Sequence, residues 1–243
     1  MRDYQKEFEN RVEYIRGLLK ASGATGVVFG NSGGKDSALV GILCKAACED
    51  TVGIIMPCSS KRNFGEDMED GIALAKQYDI ELRTVDLTAV KEKEMEQLAG
   101  VTTLNNAAIS NIAPRLRMIT LYAVGASENR LVAGTGNASE IYMGYFTKYG
   151  DGGYDFNPIA DLKATEIFEF LAYLKAPTNI VTKAPSAGLF EGQTDEQDMG
   201  VTYKAIDEYI STGVATEHDK AIIDRYHSRS EHKRRMPARY GMY

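Results

Sequence analysis

The sequence predicts an α/β protein: an open, mostly parallel, doubly wound sheet with helices on both faces and a helical C-terminal part. Three observations carry that expectation. Short apolar runs alternate with amphipathic stretches through the first half of the 243-residue chain, the strand–helix rhythm of a parallel sheet. The first three apolar runs recur at about 27 residues, the length of a βαβ unit. A glycine-rich string lies directly after the first run and directly before a helix, where open α/β sheets bind their ligands.

The elements follow in order. Val12, Ile15, Leu18 and Leu19 recur at helical spacing, so residues 3–20 read as an amphipathic helix. Gly26–Gly30 is a short apolar run between glycines, which suits a buried strand. Residues 38–47 read as an apolar helix, and 51–56 as a second strand stopped by Pro57. Residues 66–78 read as a helix with Ile72, Ala75 and Tyr78 among its buried candidates, and 80–85 as a third strand. A long helix near 113–127 precedes a fourth strand at Leu131-Val132-Ala133. Helices are expected over 162–174, 195–210 and 217–227, with Thr194 and Gln197 as a capping box. Residues 144–158 hold four glycines and several aromatics, an ordered loop long enough to serve function. No internal repeat, low-complexity run or linker interrupts the chain, so 1–243 reads as a single domain with 44% hydrophobic residues to fill its core.

Composition narrows the function classes. A net charge of -6 argues against general nucleic-acid binding. The stretch 225–239 nevertheless sets Arg225, Arg229, Lys233, Arg234, Arg235 and Arg239 against Glu231 alone. It reads either as a solvated tail or as a segment facing phosphate or carboxylate. Cys44, Cys48 and Cys58 are odd in number, which disfavours a disulfide scaffold, and no further cluster offers zinc its remaining ligands. All three read as small, largely buried residues. The N-terminus has neither a signal peptide's apolar core nor a membrane span, so a cytoplasmic protein without a membrane role is expected.

The chemistry is concentrated in Gly30-Asn31-Ser32-Gly33-Gly34-Lys35-Asp36-Ser37. Gly33 and Gly34 allow a tight turn that brings backbone N–H groups to an anion. The next helix aims its N-terminal N–H groups and dipole at the same point. The string is not a Walker A loop: Gly34-Lys35 is followed by Asp36, and Phe29 stands where that motif needs its first glycine. A second string, Gly134-Thr135-Gly136-Asn137-Ala138-Ser139-Glu140, ends the fourth strand. Asp36 and Glu140 both follow strand ends, so they could face one metal ion or could be two surface acids at loop ends.

The first string matches the Ser-Gly-Gly-x-Asp-Ser loop of the ATP pyrophosphatases, which cleave ATP between the α and β phosphates. From Gly30 to the C-terminus the chain resembles the ammonia-dependent NAD synthetases. The most specific piece is the run from Phe146 to Asp155, similar to their substrate loop. The resemblance implies ATP contacts by Gly30, Asn31, Ser32, Gly33, Gly34, Lys35, Asp36, Ser37, Thr135 and Ser186. It implies Mg²⁺ held by Asp36 and Glu140. It implies deamido-NAD contacts by Arg115, Lys148, Asp155, His232 and Lys233. Arg117, two positions from Arg115 on a helix, points elsewhere and reads as an exposed or ion-paired residue. The family's usual ATP-contacting lysine after the substrate loop falls on Ala164 here, so Lys163 is the substitute. Many members carry Asp-His where this chain has Gly136-Asn137, which leaves the role of Asn137 open.

The implied reaction is ATP-dependent amidation of deamido-NAD by ammonia, through an acyl-adenylate, to NAD, AMP and pyrophosphate. No covalent protein nucleophile is required, and His218, His227 and His232 all lie in the C-terminal region away from a Ser or Cys partner. Nothing in the length remains for a glutaminase domain, so free ammonia or a partner chain supplies nitrogen. A homodimer is implied, for which Ile112, Leu116, Ile119 and Ala123 could form an interface or equally pack in the core. The alternatives are another ATP-pyrophosphatase-type adenylating enzyme and a nucleotide-binding module without turnover.

Overall fold

The computed structural model describes residues 2–59, 64–183 and 194–241. Helix α1 (Tyr4–Ser22) starts at Asp3, whose carboxylate accepts from the Lys6 N–H at 3.2 Å, and stops at Gly23 with φ 73°. Strand β1 (Gly26–Gly30) leads into α2 (Lys35–Ala47), then β2 (Thr51–Ile55), α3 (Glu66–Gln77) and β3 (Glu81–Thr84). Helices α4 (Thr88–Ala99) and α5 (Asn106–Glu128) precede β4 (Arg130–Ala133) and the short α6 (Ala138–Met143). The C-terminal part comprises α7 (Ala164–Tyr173), α8 (Thr178–Thr182), α9 (Asp195–Met199), α10 (Tyr203–Thr212), α11 (Glu217–Arg229) and α12 (Glu231–Arg234).

The four strands are parallel in the order β3-β2-β1-β4, with Val28 opposite both Val52 and Val132. Alternate side chains of β1 enter two different cores. Val27 and Phe29 pack with Leu39, Leu43, Ile167 and Phe170 on one face. Val28 packs with Val52, Ile54, Val132 and Leu121 on the other. Both faces are covered, which is why β1 is apolar throughout rather than alternating. Helix α2 lies between the sheet, α1 and α7, and is buried on nearly every side. Met143, Tyr203, Ile206 and Ile223 form a third core that ties the C-terminal helices to α6.

Several expectations are revised. Ile72 is 46% exposed, whereas Gly71, Leu74 and Ala75 are buried. Helix α3 is turned so that Gly71 lies against Asn31. The expected single helix over 195–210 breaks at Gly200, with φ 73°, and restarts where Thr202 Oγ1 accepts from the Ala205 N–H. The long helix begins earlier than expected because Asn105 caps it, and Pro114 is carried inside. Helix α4 escaped the sequence reading because it buries no residue. On α5 the expected interface positions divide: Leu116 packs against the second core, while Ile119 is 57% exposed. Cys44 and Cys58 are buried and Cys48 is half-buried.

Candidate functional site

Strand β1 has β2 on one side and β4 on the other, and the chain reaches β4 by the opposite face from β2. The carboxyl ends of β1 and β4 therefore form the switch point at which open α/β sheets bind ligands. A cavity of 760 Å³ opens there, floored by Gly30, Asn31, Ser32, Gly34, Lys35 and Asp36 and by Gly134, Thr135, Gly136 and Glu140.

The first loop is held from behind. Gly33 has φ 70°, and a Cβ on it would lie 2.1 Å from the Asp67 carbonyl oxygen, so only glycine fits. Asn31 is buried; its Nδ2 donates to the Gly71 carbonyl at 2.9 Å, which braces the loop against α3. Ser32 Oγ and Ser37 Oγ lie 3.0 Å apart, and Ser37 Oγ donates to the Gly34 carbonyl. Gly34 caps α2 with no side chain, leaving the first-turn N–H groups for an anion.

Beneath this loop lies a charge cluster. Lys35 is 5% exposed, and its ammonium is paired with Asp36 Oδ2. Lys35 Nζ also sits 5.5 Å from the Tyr203 ring centre and 5.7 Å from that of Phe168. Burial acts to lower its pKa, but the charges of Asp36, Glu140 and Asp195 outweigh it and hold the ammonium above its ordinary value. Asp36 Oδ1 accepts from Asn137 Nδ2 at 3.0 Å. Asn137 also caps α6: its Oδ1 accepts from the Glu140 N–H, and its own N–H donates to Glu140 Oε2, both at 3.0 Å. Asn137 thus ties the loop after β4 to the loop after β1. Burial and the Asp36 charge push the Glu140 carboxyl well above the usual carboxylate range, against Lys35 and the Asn137 N–H. Asp36 and Glu140, two hard carboxylates lining the cavity beside this loop, are of the type that would hold Mg²⁺, an ion that takes only one or two protein carboxylates in such sites. Among the described residues no group of three His, Cys, Asp or Glu closes a metal site by itself.

The opposite wall comes from residues 144–153 and the C-terminal helices. The Thr147 N–H donates to Asp151 Oδ1 at 2.9 Å, and Thr147 Oγ1 donates to Asn111 Oδ1 at 2.5 Å, so the loop is anchored on itself and on α5. Lys233 lines the cavity, with its ammonium donating to the carbonyls of Gly144 and Phe146 at 2.8 and 2.6 Å. Lys148 lies outside the wall, where its Nζ donates to the His232 carbonyl at 2.7 Å. Asp155 likewise faces away: Oδ2 accepts from the Val132 N–H and Oδ1 from Tyr122 OH. Arg115 is exposed on the far side of α5. Lys163 turns off the cavity because it is the residue before α7, and its Nζ donates to Ser211 Oγ at 2.7 Å. Ser186 lies outside the described residues.

Other basic residues reach the cavity without having been singled out as its ligands. Arg117 is part of the wall and half-buried rather than exposed, with Nε donating to the Met56 carbonyl at 3.0 Å. Burial lowers its pKa against the nearby charges of Cys58, Asp151 and Asp67. Lys183 lines the rim and bridges Asp67 Oδ1 and Asp70 Oδ2 at 2.7 Å each. Arg225 and Arg229 line it too, four residues apart on α11 and in step with Lys233. For Arg225 and Arg229 the 225–239 charge run held the only sequence signal.

The NAD synthase family profile matches residues 7–237. An NH(3)-dependent NAD(+) synthetase of Alkaliphilus oremlandii is 46% identical over 242 residues, covering 96% of each chain. The NMN synthetase structure from Francisella tularensis superposes with a TM-score of 0.94 at 36% identity, covering 100% of both chains. The NH3-dependent NAD synthetase structure from Campylobacter jejuni superposes with a TM-score of 0.80 at 30% identity, covering 98% of this chain and 99% of that one. With the switch-point cavity, its two glycine-rich loops and a match over nearly the whole length, the chain belongs to the NAD synthase family.

Proposed function

We propose that this chain amidates deamido-NAD with ammonia, consuming ATP and releasing NAD, AMP and pyrophosphate. The observation that carries this is the convergence of the Ser32–Ser37 loop, the Gly134–Glu140 loop and residues 144–153 on one cavity. A carboxylate resists ammonia until its oxygen becomes a leaving group. A nicotinate oxygen attacks the α-phosphorus of ATP, the bond to the β-phosphate bridging oxygen breaks, and pyrophosphate leaves. Ammonia then attacks the acyl carbon, the bond to AMP breaks, and the surplus proton passes to solvent. The loop N–H groups bind phosphate, and Arg117, Lys183, Arg225 and Arg229 offset charge around it. Asp36 and Glu140 would hold Mg²⁺, which neutralises charge on the departing pyrophosphate.

Arg115, Ile119 and Ala123 share an exposed face of α5. A second copy seated on that face gives the expected homodimer and places Arg115 where deamido-NAD can meet it. Lys148, Asp155 and His232 lie outside the cavity wall, so their contacts would be with a part of deamido-NAD that extends beyond it. The nitrogen source is free ammonia, and three free thiols suit the reducing cytoplasm. Among the described residues no helix is long and apolar enough to cross a membrane.

The likeness to an NMN synthetase favours one further reading, confined to the acceptor: a nicotinate mononucleotide amidated by the same bond changes. Purified protein given Mg-ATP, ammonium and either acceptor separates the two by kcat/KM. AMP and pyrophosphate are expected in equal amounts; ADP and phosphate would rule out adenylation. Pyrophosphate release with no acceptor would indicate a different adenylating enzyme, and no turnover with either acceptor a binding module. Glutamine in place of ammonium is expected to support no turnover.

A further inference from the structure

We propose that Lys35 is a positioning residue, an internal counter-ion for the Asp36–Glu140 pair rather than a phosphate ligand. The inference rests on the reading of that pair as the Mg²⁺ site. The side chain of Lys35 is 4% exposed, and its ammonium is bound to Asp36 Oδ2 between the rings of Tyr203 and Phe168. Reaching a phosphate would mean breaking a buried ion pair, which is strongly unfavourable.

The surroundings need a cation. Asp36, Glu140 and Asp195 all act on this ammonium, and Asp195 Oδ2 accepts from Tyr203 OH at 3.0 Å, holding that ring against it. The first turn of α7 brings no cation to the cluster: its one charged side chain, Glu166, is an acid and is spent on Arg2 and the Lys163 N–H. Lys163 is spent on Ser211, and Ala164 is buried with Tyr203. Lys35 therefore supplies the positive charge from inside the phosphate loop. It pins one oxygen of Asp36 while Asn137 pins the other. It also weakens metal binding before ATP arrives, because a fixed cation repels a divalent ion over these distances.

The test is Mn²⁺ binding, with and without α,β-methylene-ATP, in parent protein, Lys35→Met and Lys35→Gln. Both variants are expected to bind Mn²⁺ without nucleotide at least about tenfold more tightly than the parent. Their melting temperatures should rise with Mg²⁺ far more than the parent's. Variants that fold only when Mg²⁺ is present support the inference equally, since the metal then replaces the missing cation. Variants with the parent's Mn²⁺ affinity, or that fail to fold even with Mg²⁺, overturn it. A parent that binds no Mn²⁺ even with the nucleotide analogue overturns the metal reading itself, and this inference with it.

Discussion

Asn137 Nδ2 donates to Asp36 Oδ1 at 3.0 Å, joining the loop after β4 to the loop after β1. The same residue caps α6 through the Glu140 N–H. Its two tasks separate by mutation. Asn137→Ser keeps a capping acceptor but removes the donor to Asp36, so stability should stay near the parent's while the Mg²⁺ needed for half-maximal turnover rises. Asn137→Ala should in addition lose about 1 kcal/mol with the cap. Thermal melting and a magnesium titration read both. Unchanged magnesium dependence in Asn137→Ser would mean the bond does not orient Asp36.

On the proposed Mg²⁺ site, removing either the Asp36 or the Glu140 charge should damage chemistry more than binding. Asp36→Asn and Glu140→Gln are expected to lower kcat by roughly 100-fold, the scale of losing a charge-stabilising group. Binding of deamido-NAD should change little, because no bond to that substrate is assigned to either residue. Steady-state kinetics and equilibrium binding on folded variants provide the comparison. A Glu140→Gln variant with normal turnover would make Glu140 only the capping residue of α6.

Gly33 and Gly23 have nearly the same backbone, φ 70° and 73°, but their surroundings differ. A Cβ on Gly33 would meet Asp67 O at 2.1 Å, whereas one on Gly23 would have nothing within 4 Å. Gly23→Ala should cost about 1–2 kcal/mol from left-handed backbone alone. Gly33→Ala should cost more and weaken ATP binding, because the loop must shift away from α3. Urea unfolding and ATP titration check this. Equal stability losses with unimpaired ATP binding would show that the close approach does not shape the loop.

Acid should loosen the link between α1 and the loop before α7. Asp161 accepts from Arg11 at 2.7 and 2.9 Å and pairs with Arg2 at 3.2 Å. Burial acts to raise its pKa, but the hydrogen bonds and charge of Arg11, with Arg2, outweigh it and hold the carboxyl below its ordinary range. A carboxylate whose folded pKa is depressed stabilises the protein above its unfolded pKa of about 3.9 and loses that contribution as pH falls through the folded value. Asp161→Asn should therefore be less stable than the parent at neutral pH, with a gap that narrows below about pH 4. Urea unfolding across that range tests it; a gap independent of pH would deny the shift.

The sheet was legible because β1 and β2 are covered on both faces and so are written as short apolar runs. Helix α4 was not, because a helix that buries nothing needs no apolar stripe. Gly200 was invisible as a break until its left-handed backbone was seen. The phosphate loop was readable because it is contiguous. Arg117 and Lys183 join it only through packing of α5 and of the segment after α8, which no local pattern records. Lys148 and Asp155 show the converse: a recognisable loop does not fix which way its side chains face.

Adenylation of the substrate carboxylate is the central claim, and isotope transfer tests it most directly. Deamido-NAD labelled with ¹⁸O in the nicotinate carboxylate is incubated with the protein, Mg-ATP and ammonium, and the nucleotide products are weighed by mass spectrometry. One labelled oxygen should appear in AMP, since the oxygen that attacks the α-phosphorus leaves with it. Unlabelled AMP, or label in pyrophosphate or phosphate, would contradict the account.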